Sequence, residues 1–345
     1  MNEKPLSLLV FGAGAIGTYI GGSLALDGHR VVFLERPQVA ESLRAGGMHL
    51  TLPAGRRAVQ PLHVAASLEA ALQAGPFDAA LFALKSFDTP AFVEQIRPYA
   101  ADLPPVVCLS NGVENEQALA AALGAGKVIP ATVTTAIGRT QAGDVRVERL
   151  RGLGIAAGHP LAERLTAACT QAGLQARLYP HAAGMKWSKM LTNLLANATS
   201  AILDMTPGEI FAHPGLCALE VRQLREALAV MRAQRIPVTD LPGTPVRLLA
   251  LGVRLPVALS RPLLRRAVGK GRGNKMPSFH IDLHSGRGKS EVGYLNGAVV
   301  RFGAQYGIPT PVNRLLTETL TALSEGRLPL DAYAHDAGRL LADLG

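Results

Sequence analysis

The spacing of hydrophobic and polar positions changes character near residue 179 of this chain. Before that point, short apolar runs alternate with amphipathic stretches. LSLLVF at 6–11 is continuously apolar, as a strand buried on both faces of a parallel sheet would be. Residues 18–27 carry a helical pattern stopped by Gly28, and VVFLE at 31–35 is the next apolar run. FDAALFALK (77–85) and PPVVCLSNG (104–112) read as further strands that close on polar residues. A helix is expected at 114–123 and strands through 128–158, with a hairpin around Gln141–Asp144. A helix at 160–172 and a strand at 175–179 end this region. After Pro180 the period is helical almost throughout: 182–203, about 214–234, pieces of 245–268, 290–306 and 311–325. The pattern predicts an α/β domain over 1–179 and an all-helical domain over 180–345. No stretch reaches the roughly 20 apolar residues that span a bilayer, so no stable membrane insertion is expected.

Between the first strand and the first helix lies Gly12-Ala13-Gly14-Ala15-Ile16-Gly17. Strand, glycine turn, helix and second strand follow within about 30 residues, the setting in which G-x-G-x-x-G signals a Rossmann dinucleotide-binding domain. Gly12 permits the tight turn, Gly14 lets a pyrophosphate approach the backbone, and Gly17 lets the helix pack on the sheet. The helix N-terminus offers free N–H groups to phosphate. At the end of the second strand, Glu35 suits the ribose 2′-hydroxyl of NAD, and Arg36 beside it suits the 2′-phosphate of NADP. The reading leans to NADP through Arg36. Lys85 and Asn111 close two later strands at their carboxyl ends, the edge where ligands bind in open α/β sheets.

KWSKMLTNLLANATS (186–200) sets Lys189, Asn193 and Asn197 at a strict four-residue spacing. On one continuous helix they would span roughly 12 Å of one face. Ser188, Thr192 and Ser200 share that half, and Met190, Leu191, Leu194, Leu195, Ala198 and Ile202 share the other. Ordinary amphipathicity gives the same division. The polar half contains no acid, which suits an anion-facing wall.

Composition narrows the class. With 48% hydrophobic and 18% charged residues, the 345-residue chain is not disordered and can bury two cores. Cys108, Cys169 and Cys217 are widely spaced and read as reduced packing residues. With no recognisable signal peptide, they point to the cytoplasm. The net charge is +9, but residues 241–275 hold eight Lys and Arg and no acid, and taking those eight away leaves +1. Nucleic acid is therefore not an expected partner. The basic segment reads as a helical excursion of the second domain, with anionic lipid as the alternative contact. His280 and His284 stand four apart near Asp282, but no third ligand follows at a suitable spacing, so no metal is expected.

GAGAIG, LKSFDT around Lys85, LSNGVENEQAL around Asn111, WSKMLTNLLAN, and PSFHIDL with GRGKSEVGYLNGAV at 277–299 occur in this order along nearly the whole chain. In order and spacing the sequence resembles the ketopantoate reductases (2-dehydropantoate 2-reductases). The resemblance implies a Rossmann domain joined to a helical domain like that of 6-phosphogluconate dehydrogenase, with the active site in the cleft. It implies NADPH-dependent reduction of a small anionic 2-oxo acid, with ketopantoate going to pantoate in pantothenate and coenzyme A biosynthesis. It puts the proton donor on Lys189 and not Lys186. Substrate contacts fall on Asn111, Asn193, Asn197 and Ser278, and Glu291 acts near the cofactor and the substrate hydroxyl. Gly12, Ala13, Gly14, Ala15, Ile16, Gly17, Arg36, Lys85, Asn111 and Glu291 are the expected cofactor contacts.

Three positions depart from the family's pattern: Gly293 replaces an acid, Lys275 an asparagine, and Pro207 a further substrate asparagine. Chemistry independent of the family agrees with the lysine. Hydride addition to a carbonyl builds an alkoxide, which an ammonium stabilises and protonates. For Ser278 a turn or cap, and for Glu291 a first-turn acid behind a Ser290 cap, are the plain structural readings. The alternatives for the whole chain are a dehydrogenase of another 2-oxo acid or an opine-like substrate, and a non-catalytic NADP sensor. A homodimer is one assembly the sequence allows.

Overall fold

The computed structural model describes residues 4–271 and 275–344. The chain forms two compact units. One runs up to Lys186 and includes Leu241–Thr244; the other comprises Trp187–Asp240 and the chain from Pro245 onward. The change of texture at 179 coincides with the end of the last strand, Ala176–Tyr179, and the first unit keeps the chain through Lys186.

In the first unit an eight-stranded sheet runs in the order Ala176–Tyr179, Leu153–Ala156, Val128–Val133, Val106–Cys108, Ala79–Phe82, Ser7–Phe11, Arg30–Leu34, His63–Ala65. Neighbours are parallel except Leu153–Ala156 against Val128–Val133. The chain leaves Ser7–Phe11 toward one edge and later returns to its other side with Ala79–Phe82. This is the Rossmann order, with the topological switch point at the carboxyl ends of those two strands. The unbroken apolar runs have a direct cause. Leu8 and Val10 face a core containing Ile20 and Phe33, while Leu9 and Phe11 face another containing Phe82 and Phe92.

A second sheet of four strands runs Gly55–Ala58, His49–Leu52, Asp144–Arg149, Ala136–Gln141. The hairpin expected around Gln141–Asp144 is its antiparallel pair, turning through Gly143 at φ 74°. Leu50 of this sheet packs against helix Ala15–Leu26, where a Cβ at Gly22 would lie 2.7 Å from Leu50 Cδ1.

The second unit is helical and is organised around Pro214–Ala233. Here one expectation fails. The single helix predicted over 182–203 is two helices, Ala182–Leu194 and Asn197–Leu203, because Ala196 takes a left-handed conformation (φ 53°, ψ 19°). The cause is a pair of buried side chains on the 214–233 helix. Glu220 accepts the Ala196 N–H at 2.7 Å and the Thr199 hydroxyl, and Gln223 donates to the Leu194 carbonyl at 3.1 Å. The groups a broken helix leaves unpaired are thus satisfied from outside. Gln223 also donates to Glu220 at 2.8 Å and accepts from Asn296, which donates on to Asn313. Asn313 in turn donates to Glu226 at 2.7 Å. Buried amides and carboxylates therefore link five helices. Burial, opposed by the Val312 and Asn313 donors, holds the Glu226 carboxyl above its ordinary pKa.

The helix predicted at 290–306 also divides, into a 3-10 turn Glu291–Tyr294 and helix Asn296–Gln305. The basic segment forms helices Val246–Arg254 and Val257–Gly271; its residues 272–274 lie outside the described residues. Arg247, Arg254, Arg265 and Arg266 are exposed, as are Leu248, Leu251 and Leu259. Arg225 caps the first of these helices by donating to the carbonyls of Val253 and Leu255. Among the described residues no helix is long and apolar enough to cross a membrane.

Candidate active site

The loop at 12–17 is shaped by what its glycines leave out. Gly12 sits at φ 91°, a left-handed value that its residue type allows. A Cβ on Gly17 would fall 1.8 Å from the Gly12 carbonyl oxygen, so helix Ala15–Leu26 can start here only on glycine. A Cβ on Gly14 would meet nothing within 4 Å. Gly14 is the N-cap and has no side chain to accept from the first amides. The N–H groups of Ala15, Ile16 and Gly17 therefore open a helix with space in front of it, which fits a phosphate.

Two side chains brace the loop. The Thr18 hydroxyl donates to the Ala13 carbonyl at 2.9 Å, and Glu35 accepts the Ala13 N–H at 2.7 Å. The other Glu35 oxygen accepts the Arg36 N–H at 3.1 Å. The acid that could have met a ribose hydroxyl is thereby turned onto the backbone. Arg36 follows as the exposed N-cap residue of helix Pro37–Gly46.

Lys85 and Asn111 stand just beyond the carboxyl ends of Ala79–Phe82 and Val106–Cys108. A buried polar knot joins them. Asn115 donates to the Asn111 carbonyl at 2.5 Å and to the Ser86 hydroxyl at 3.2 Å, and accepts from Thr89 at 2.8 Å. Ser86 donates to the Asn111 carbonyl at 2.8 Å. The LKSFDT and LSNGVEN motifs are thus two halves of one bracket at the switch point. Both motifs are visible in the sequence, but nothing in their spacing shows that Ser86, Thr89 and Asn115 tie them together.

Lys186, left without a role in the sequence, is buried in the first unit. Its ammonium donates to the Ser110 and Ala131 carbonyls at 2.6 and 3.2 Å and pairs with Glu116 at 2.6 Å. Burial alone would lower its pKa; the Glu116 carboxylate outweighs this and holds it above the ordinary value. Burial, reinforced by the same carboxylate, pushes the nearby Cys108 thiol well up, and burial raises Cys169 to about 12. Neither thiol is a ready nucleophile.

In the second unit Lys189 is half-buried on helix Ala182–Leu194, and its flanks are fixed. Trp187 meets Phe302 edge-on at 5.4 Å, Ser188 accepts the Thr239 N–H at 2.8 Å, and Met190 is core. Asn193 shares this helix and is buried. Asn197 does not continue the line; it opens the next helix beyond the Ala196 break. Its side-chain oxygen accepts the Phe279 N–H at 3.0 Å, and its NH₂ donates to the Ser278 hydroxyl at 3.4 Å. Two segments 81 residues apart in sequence are clasped by this amide. Ser278 is exposed as the first residue of helix Ser278–Leu283. Glu291 is buried as the first residue of the 3-10 turn, which Ser290 caps at 3.2 Å. Among the departing positions, Pro207 starts helix Pro207–Ala212 behind a Thr206–Glu209 capping box. The Gly293 carbonyl accepts from Arg301 at 2.9 Å.

The units match known proteins in turn. The family model described as "Ketopantoate reductase PanE/ApbA" matches residues 8–158, and "Ketopantoate reductase PanE/ApbA C terminal" matches 182–324. A 2-dehydropantoate 2-reductase of Mesorhizobium japonicum is 28% identical over 334 residues, covering 89% of this chain and 94% of that protein. The crystal structure of a PanE/ApbA family ketopantoate reductase from Ralstonia eutropha superposes with a TM-score of 0.79 at 28% identity, over 93% of this chain and 99% of the other. D-mandelate dehydrogenase, solved with NADH and anilino(oxo)acetate, shares the fold with a TM-score of 0.74 at 17% identity, over 93% and 99% of the two chains. With both family models matched in sequence order on a Rossmann-like unit and a helical unit, the chain belongs to the ketopantoate reductase family of oxidoreductases.

Proposed function

We propose that this chain uses NADPH to reduce 2-dehydropantoate (ketopantoate) to pantoate, a step of pantothenate and coenzyme A biosynthesis. The observation that carries this reading is the match of both units, nearly end to end, to reductases of that name. The uncapped amides of Ala15, Ile16 and Gly17, behind an N-cap glycine, support a dinucleotide. Arg36 supports NADPH over NADH: Glu35 is engaged by two backbone amides, and the exposed guanidinium beside it suits a 2′-phosphate. When bound, NADPH supplies the hydride.

The chain's own residues then divide the remaining work. Lys189 stabilises the alkoxide formed on the substrate and gives it a proton. Lys186 is no competitor for that role, because its donors are already held by Ser110, Ala131 and Glu116. Asn193, Asn197 and Ser278 orient the 2-oxo acid through neutral donors, and the Asn197 clasp keeps Ser278 in place. Lys85 and Asn111, bracketed at the switch point, contact the cofactor, with Asn111 also reaching substrate. Glu291 bonds the product hydroxyl beside the cofactor.

A second reading, reduction of another 2-oxo acid, is favoured by Gly293, Lys275 and Pro207, which depart from the family's pattern. An oxidation screen with NADPH and with NADH over a panel of 2-oxo acids separates the two. The expected result is fastest NADPH oxidation with ketopantoate. A higher kcat/KM with a different 2-oxo acid favours the second reading. Nucleotide binding with no oxidation by any of them overturns reductase activity and leaves a sensor.

A further inference from the structure

His280 and His284 have a third partner that the sequence hides. Asp204 is 76 residues from His280 in sequence, yet its Oδ1 lies 2.7 Å from His280 Nε2. One ligand atom from each of Asp204, His280 and His284 falls within 4.8 Å of the others. The two imidazole rings are 4.1 Å apart, and the His284 N–H still bonds to the His280 carbonyl at 3.0 Å, so the pair keeps its helical four-residue spacing. Two histidines so spaced on one helical face are a recurrent zinc-binding arrangement.

The carboxylate is also well placed. Asp204 ends helix Asn197–Leu203 in a left-handed conformation (φ 49°, ψ 41°). His335, also left-handed at φ 57°, ties its own N–H to the Leu203 carbonyl at 2.7 Å. Its Nε2 comes to 4.0 Å from the second Asp204 oxygen. One oxygen of Asp204 thus faces the histidine pair and the other faces His335.

We propose that Asp204, His280 and His284 bind a divalent transition metal ion, with His335 orienting the carboxylate. Ligand atoms around tetrahedral zinc lie about 3.3 Å apart, given bonds of about 2.0–2.1 Å. Binding would open the 2.7 Å His280–Asp204 contact to that spacing and draw in His284, whose side chain is exposed. Two imidazoles and one carboxylate select zinc, cobalt or nickel over magnesium or calcium, and the solvent side leaves a fourth position for water. On binding, the ion replaces the proton between His280 and Asp204. The site does not depend on the reductase reading. It would, however, staple the two helices that Asn197 joins to Ser278 and Phe279.

The test is calorimetric titration of zinc chloride into the tag-free, chelator-stripped full-length chain, with the cobalt(II) visible spectrum as a second readout. One equivalent of zinc is expected, with affinity reduced at least ~10-fold in Asp204→Asn and in His284→Ala and further in the double variant His280→Ala/His284→Ala. His335→Ala should weaken binding less than either. Cobalt should give the intense visible bands of a four-coordinate site in the wild type and not in His284→Ala. Because His284 is exposed, the metal-free melting curve of His284→Ala should overlay that of the wild type, which separates a lost ligand from a lost fold. Equal zinc affinity in the wild type and the double histidine variant, or no zinc binding to the wild type, overturns the site.

Discussion

Gly12 and Ala196 both hold a left-handed backbone, at φ 91° and 53°, but for opposite reasons. Gly12 adopts it at no steric penalty, and the loop it opens needs glycine again at Gly17 because a Cβ there has no room. Ala196 adopts it against a penalty of roughly 1–2 kcal/mol, because Glu220 and Gln223 hold the groups on either side of the break. The first geometry is written in the residues that adopt it. The second is imposed by a neighbouring helix, so the residues that adopt it look like an uninterrupted amphipathic helix. The first kind of segment is therefore readable from its own letters, and the second only from its partner's.

The largest effect that bears on this contrast is catalytic. If the imposed break sets the helix that carries the chemistry, Lys189→Ala should lower kcat by about 10²–10⁴ while NADPH affinity, measured by fluorescence titration, stays within a few-fold. Near-wild-type turnover removes Lys189 from the mechanism. Next in size, Glu220→Ala should lose about 3 kcal/mol in urea denaturation, since it strands a buried amide and a buried hydroxyl together. A loss under about 1 kcal/mol would mean that the break sustains itself.

Within the loop, Gly17→Ala should destabilise by about 1–3 kcal/mol through overpacking. Gly14→Ala should change stability by less than about 0.5 kcal/mol yet weaken NADPH at least ~10-fold, because its Cβ enters open space and not protein. Equal stability losses in the two variants would undo the assignment of that space to a ligand. Smaller still, Ala196→Gly should stabilise the protein by up to about 1 kcal/mol, relieving the one unfavourable residue in the imposed turn. Destabilisation would show that the Ala196 methyl group packs to better purpose than its backbone suggests.

The smallest prediction concerns pH and the first strand. His29 accepts the Leu6 N–H on Nδ1 at 3.0 Å, and burial, partly opposed by Asp27, holds its pKa below the ordinary value. A depressed imidazole pKa favours the neutral folded form. Its stabilisation is thus full above an unfolded pKa of about 6.5 and lost as pH falls through the folded value. His29→Asn, which can accept the same bond without titrating, should remove up to about 1 kcal/mol of the stability difference between neutral and mildly acidic solution. Parallel curves for the two proteins would exclude this residue as the source.

What could be read from the sequence follows the same division. The glycine loop, the central strands and the 141–144 hairpin were legible because each is specified by local periodicity or by turn residues. The strands His49–Leu52 and Gly55–Ala58 were not. They are four residues each, and GRRA is exposed throughout, so no alternation announces them. The break at Ala196 was hidden because tertiary partners override helical propensity there. Strand ends point to Lys85 and Asn111, four-residue spacing points to Asn197, and motif resemblance points to Ser278. That Asn197 clasps Ser278, that Asn115 ties Ser86 to the Asn111 carbonyl, and that Lys186 is a buried strut depend on contacts across tens of residues. The missing third partner of His280 and His284 is the same kind of omission.

Because Glu220 answers Ala196, Thr199 and Gln223 at once, these positions form a single heritable unit. A lineage that loses the acid first passes through an ancestor with a stranded amide between Asn193 and Asn197. Substitutions there should accumulate in blocks and not one by one. Laboratory evolution aimed at a new 2-oxo acid faces the same constraint: libraries that randomise 193–197 alone should return few folded clones unless Glu220 and Gln223 are kept or varied in the same library.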